Sequence, residues 1–186
     1  MKKIVITLFA AILAFNLSAQ ESTFEKGDKA LNLGLGFGSF LGASGYKTTI
    51  PPISASFEVG IIDGILDKAT VGVGGYLGFA GSKDEIPWFG DEYYVKYTYI
   101  VIGARGTFHY PLVDKLDTYG GVMLGYTIVS NSTNLPSTFG TYSYTANSFT
   151  PSFFVGGRYY FTDNFAAMAE LGYGVALLNL GVALKF

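Results

Sequence analysis

From Lys29 to Phe186 one device repeats: large apolar side chains take every second place, and glycine or another small residue fills the places between. Successive side chains of an extended strand point to opposite faces, so this period makes strands with two chemically distinct faces. Eight such runs can be read, at about 29–38, 53–60, 70–79, 99–110, 119–128, 152–161, 165–173 and 178–186, with turn-formers between them. In the third, Val71, Val73, Leu77 and Phe79 oppose Thr70, Gly72, Gly74, Tyr76 and Gly78. The last sets Leu178, Leu180, Val182, Leu184 and Phe186 against Asn179, Gly181, Ala183 and Lys185. Each run is about nine to thirteen residues, enough to cross hydrocarbon at a tilt of about 45°.

The chemistry of the two faces decides what surrounds such a sheet. A barrel in water turns its large apolar residues inward and needs a charged outer face. The second face here is mostly Gly, Ser, Thr and Ala, which is a poor surface for water. With the apolar set outward, lipid covers it, and the small set fits the narrow interior of an eight-strand barrel. Hydrocarbon also forbids an open sheet edge, so the strands must close. Composition points the same way. Hydrophobic residues make up 49% and charged residues only 14%, about half the charge of an ordinary soluble domain. Past the N-terminus no apolar run is long enough for a spanning helix. The expected fold is therefore all-β: a closed antiparallel up-and-down transmembrane β-barrel of about eight strands.

The first residues read as an export signal. Lys2 and Lys3 precede an apolar stretch from Ile4 to Leu17, and Ser18 and Ala19 supply small residues before a cut near Ala19–Gln20. The organisation expected is a cleaved signal peptide over 1–19, a short N-terminal segment over 20–28 and the barrel over 29–186. With both termini on the periplasmic side, Phe37, Phe79, Phe153 and Tyr173 form an outer aromatic belt. Phe108, Tyr110, Phe161, Phe165 and Phe186 form an inner one. The outer connections, about 39–52, 81–95 and 130–148, are read as long loops, and those at 63–68, 111–116 and 162–164 as short inner turns. The fourth outer connection, Gly174–Ala176, is a tight turn.

On these residues the chain resembles the small eight-stranded outer-membrane barrels, the OmpX-like, OmpW-like and OmpA-transmembrane-domain group. The most specific element is the end of the chain, Leu178, Leu180, Val182, Leu184 and the terminal aromatic Phe186. It resembles the signal by which the barrel-assembly machinery recognises outer-membrane barrels. The stretch from Gly157 to Asn164 is similar to the strand and turn before the last hairpin in many such proteins. The resemblance implies a location in the bacterial outer membrane. It also implies contacts with outer-membrane lipids and lipopolysaccharide, passage through periplasmic chaperones, and a monomer.

The inward charges are read as Lys29, Glu58, Arg105, Arg158, Glu170 and Lys185, joined by the inward Asn32. Isolated charges in a low-dielectric lumen are costly, so these should pair and fill it as a polar plug. The other reading is a narrow conduit in which the pairs exchange partners. His109 is the only histidine and is read as a structural residue at the rim with one hydrogen bond. Without a Gly-x-Ser-x-Gly elbow no catalytic site is assigned, and a lipid A enzyme is the disfavoured third reading. One His and no Cys leave only carboxylates for a metal, so no metal and no cofactor are expected. The net charge of -2 offers no basic surface for nucleic acid. Gly34, Gly36 and Gly38 are explained by the alternation and have no helix after them, which removes a dinucleotide reading.

Two outer segments stand as candidates for surface contact. One is the acidic stretch Asp84, Glu85, Asp91 and Glu92 around Trp88, the single tryptophan. The other is the nearly uncharged run from Ser130 to Ser148, rich in Ser, Thr, Asn and Tyr. The leading function from sequence is thus a non-enzymatic outer-membrane barrel of structural or surface-interaction type with a filled lumen. A narrow pore or hydrophobic-solute channel is the alternative.

Overall fold

Each of the eight alternating runs is a strand, and together they close a ring. In the computed structural model the described residues are 23–38, 46–88, 91–134, 136 and 146–186. The expected signal peptide and its cut lie outside them. The strands are β1 (Lys29–Phe37), β2 (Lys47–Ile65), β3 (Ala69–Trp88), β4 (Asp91–Val113), β5 (Leu116–Thr133), β6 (Ala146–Tyr160), β7 (Phe165–Gly172) and β8 (Leu178–Lys185). Every neighbour pair is antiparallel, and β1 bonds β8 from Ala30–Lys185 to Phe37–Leu178, which closes the barrel. Closure removes the free edge that an open sheet would present. No helix of the described residues is long and apolar enough to cross a membrane.

The phase of the alternation places the two sets as read. Leu33, Phe57, Leu77, Ile102, Leu124, Phe153, Leu171 and Leu180 stand exposed on the outer surface. Phe37, Phe153 and Tyr173 are exposed toward one end, and Phe108, Phe161, Phe165 and Phe186 toward the end that carries the termini. We call the end with the termini the base and the opposite end the top. The inner set, including Asn32, Ser56, Glu58, Tyr76, Arg105, Tyr119, Met123, Ser152, Arg158 and Glu170, is buried in the lumen. The small inner residues are needed. A Cβ at Gly181 would stand 1.9 Å from the Leu33 carbonyl oxygen.

Three expectations are corrected. Of the loop read at 39–52, residues 47–52 already belong to β2. Residues 81–88 and 91–95 are no loop: β3 and β4 pair without a break from Thr70–His109 to Trp88–Asp91. The same holds for the first part of 130–148, where β5 continues through Thr133. Strands β2 to β6 thus run 15 to 23 residues, against 8 or 9 for β1, β7 and β8. Above the apolar belt the period-two hydrophobicity disappears while the backbone ladder goes on, and the ladder needs no apolar partner. The base turns are short as expected. The turn after β2 is tight enough to put Gly64, Leu66 and Asp67 at positive φ.

Candidate functional site

The lumen is the place where this sequence concentrates its charge. Inward positions on four strands meet near the base. Arg158 is wholly buried, with Nη1 3.2 Å from Asp117 Oδ2 and its other terminal nitrogen against Glu58 Oε1. His109 Nδ1 lies 2.9 Å from Asp117 Oδ1, and its Nε2 3.0 Å from Thr107 Oγ1. Thr107 in turn donates to Glu58 Oε2 at 3.0 Å. Two carboxylates therefore face one guanidinium, and the imidazole bridges Asp117 to Thr107. Desolvation makes each of these charges expensive alone, so the cluster holds only as a set.

A second pair sits deeper. Arg105 Nη2 donates to Glu170 Oε2 at 2.6 Å, and the Tyr119 hydroxyl donates to the same oxygen at 3.1 Å. The Arg105 guanidinium lies 3.7 Å from the Phe154 ring centre, so its planar face is covered as well. Asn32 donates to Ser56 at 2.9 Å, and Ser54 to Asn179 at 3.3 Å. Beside Tyr76, Arg105 and Phe154 a cavity of about 10 Å³ remains, at most the room for one water.

Backbone enters the lumen from both ends. At the base, residues 23–28 turn inward, and the Phe24 ring lies tilted against His109 with ring centres 4.4 Å apart. Gly27 and Gly60 exchange bonds with this segment: Gly27 N donates to Gly60 O, and Gly60 N to Asp28 O, each at 2.9 Å. Gly60 is glycine for a reason, since a Cβ there would come within 2.1 Å of the Glu25 carbonyl oxygen. Lys185 ties the segment down, donating to Thr23 O at 3.0 Å and lying 3.6 Å from Asp28. At the top, the turn after β7 dips into the lumen. Val175 and Ala176 are buried there, and the Val175 amide donates to the Tyr76 hydroxyl at 3.2 Å. On the outside an apolar trough of about 470 Å³ runs along β8, β1, β2 and β3.

Of the charges read as lumenal, Glu58, Arg105, Arg158 and Glu170 meet inside. Lys29 does not. It has the parity of Leu31 and Leu33 and is exposed on the outer face, where water can reach it at the base. Lys185 has inward parity but stands at the mouth, holding the N-terminal segment. His109 is not a rim residue: it is 1% exposed, deep under Phe24. Sequence reasoning missed Phe24, Thr107 and Asp117. Asp117 shares the inward parity of Tyr119, and that was the available signal.

On the outer surface above the belt, Glu85 takes bonds from both Lys47 and Lys83, which hold its carboxyl down to about 2. Asp84 is half-buried beside it on the opposite face of β3. The backbone at Trp88, Asp91 and Glu92 forms the end of the β3–β4 ladder, and their side chains lie outside the described residues. Leu178, Leu180, Val182 and Leu184 lie on the lipid-facing side of β8, and the Phe186 amide donates to Lys29 O at 2.9 Å.

No protein-family model matches the sequence, and no curated protein matches it. Solved structures match its fold. The crystal structure of Ail, the attachment invasion locus protein of Yersinia pestis, in complex with the heparin analogue sucrose octasulfate, superimposes with a TM-score of 0.54 at 18% identity. The match covers 87% of this chain and 99% of that one. The N-terminal β-barrel domain of Pseudomonas aeruginosa OprF gives a TM-score of 0.50 at 15% identity, over 87% of this chain and 98% of that domain. The fold is that of the small eight-stranded outer-membrane β-barrels.

Proposed function

We propose that the chain is an integral outer-membrane barrel, exported by its N-terminal signal, with both barrel termini at the periplasm and a closed lumen. Its work is structural and at the surface, done by the walls that rise above the belt. The observation that carries this reading is the filling of the lumen: Arg158, His109, Phe24 and Val175 are each 1% exposed or less. An apolar girdle around a solid interior suits a protein that anchors something rather than passes something. Lipids and lipopolysaccharide surround the girdle, and the last strand carries the assembly signal.

Catalysis does not fit the same geometry. Thr107, His109 and Asp117 have the order of a nucleophile, base and orienting acid. Yet the Thr107 hydroxyl is engaged by Glu58, and Phe24 covers the histidine, so no substrate reaches either. The test is conductance. Protein refolded in detergent, shown folded by its heat-modifiable gel migration, is added to planar bilayers. A silent trace is expected, and regular unitary currents would restore the pore reading.

A further inference from the structure

Above the apolar belt the register sets three lysines side by side on the outward face. Lys47 of β2 pairs directly with Lys83 of β3, and Lys83 with Lys96 of β4. Like charges directly opposite on a ladder repel, so the row works against the sheet that carries it. The patch carries one carboxylate in return. Glu85 bonds Lys47 and Lys83, leaving the patch at about two positive charges, three lysines less one glutamate. Tyr94, paired with Glu85, lies under the ammonium groups of Lys83 at 5.6 Å and Lys96 at 5.0 Å. Its backbone is fixed on both sides, by Asn134 Oδ1 on its amide and Thr133 Oγ1 on its carbonyl. The row is thus tied together, Lys47 and Lys83 through Glu85 and Lys83 and Lys96 through the Tyr94 ring.

Its height identifies what it faces. The last row of large apolar residues on this side is Ile53, Phe79, Ile100 and Ile128; next come Ile50, Gly81, Thr98 and Ser130. The lysines are the row after that. From Val71 and Phe108 at the base, twelve residues along β3 end at Lys83, about 40 Å of strand or about 28 Å of height at a 45° tilt. An apolar band is about 25 Å tall, so the row stands where hydrocarbon gives way to headgroups.

We infer that Lys47, Lys83 and Lys96, seated on Tyr94, form a binding site for the phosphate groups of the lipids in the leaflet around the top of the barrel. The inference rests on the bilayer-spanning reading above. It deepens that reading by naming the lipid chemistry and the residues that meet it. Glu85 acts as a spacer: it holds two of the ammonium groups apart from each other and limits the net charge.

The test uses the whole barrel. Wild type, the triple variant K47Q/K83Q/K96Q, Glu85→Gln, and Lys115→Gln at the base are refolded into phosphatidylcholine vesicles containing a little lipid A. The lipid A carries its phosphates in one arm and is dephosphorylated in the other. After detergent extraction, native mass spectrometry counts the lipid retained. With about a fivefold gain per lysine near an anionic surface, wild type should retain the phosphorylated lipid about thirtyfold better than the dephosphorylated one. The triple variant should lose that preference, and Lys115→Gln should keep it. Glu85→Gln should raise it about fivefold, a result that holds even if the triple variant folds poorly. Equal retention of both lipids by wild type, or an unchanged preference in a folded triple variant, overturns the inference. Failure of wild type to reach its heat-modifiable form in pure phosphatidylcholine defeats the spanning reading itself, and the site with it.

Discussion

One side of the barrel is a low wall and the other a high one. Strands β7, β8 and β1 have 8, 8 and 9 residues, about 26–30 Å of strand, close to what a tilted crossing requires. Strands β3, β4 and β5 have 20, 23 and 18, and each runs on past the row of Phe79, Ile100 and Ile128 that ends the belt. The low wall ends by folding its turn into the lumen, where Val175 and Ala176 become part of the filling. The high wall continues outward, with the lysine row on its outer face and Tyr97 and Tyr99 stacked at 6.4 Å on its inner one. The difference teaches that packing and reach are handled by separate parts of a single sheet. What fills the lumen is low and internal, and what extends the ladder is high.

That division can be broken first at the base. Arg158→Leu strands Glu58 and Asp117 without their cation, and should cost about 3–5 kcal/mol in urea unfolding from vesicles. Replacing residues 86–93 of the high wall by a two-residue turn, which keeps Glu85 opposite Tyr94, should cost less than about 1 kcal/mol in the same assay, because only ladder above the belt is lost. Comparable losses from both changes would erase the distinction. Glycines sharpen it on a smaller scale. Gly181→Ala on the low wall drives a methyl into the Leu33 carbonyl, for a cost of about 1–3 kcal/mol. Gly75→Ala on the high wall meets nothing closer than 3.9 Å and should be nearly neutral.

Tyr76→Phe removes the hydroxyl that receives the Val175 amide, at a cost of about 1–2 kcal/mol. Hydrogen exchange at Val175 should quicken while amides of the base turns keep their rates. The smallest effect is expected at the exposed Glu85. Its folded carboxyl is held at about 2, below its unfolded value of 4.5. The bridge to Lys47 and Lys83 is therefore fully present above pH 4.5 and is lost as pH falls toward 2. Carboxyl NMR should show that midpoint near 2, and a midpoint at 4.5 would dissolve the bridge.

The phase of every strand was legible because alternation is a local property: Leu33 beside Gly34 already tells which side each faces. Lys29 was misplaced although its parity with Leu31 put it outside. The height of β3 and β4 was hidden because Glu85, Pro87 and Gly90 look like turn chemistry, while ladder bonds leave no mark on side-chain pattern. The partners in the lumen were hidden for a different reason. Arg158 meets Asp117 across 41 residues, and Phe24 reaches His109 only because a short segment turns back into the ring. Charge balance foretold pairing but not the pairs.

Spin labels placed singly along β5 from Gly120 to Thr127 test lipid outside and solid packing inside together. The account predicts a period of two in vesicles. Labels at Val122, Leu124 and Tyr126 should be open to oxygen and closed to a polar nickel relaxer, and those at Met123 and Thr127 closed to both. Polar access at the inward positions would mean an open channel, and polar access at the outward ones would mean a barrel in water. Either result contradicts the account.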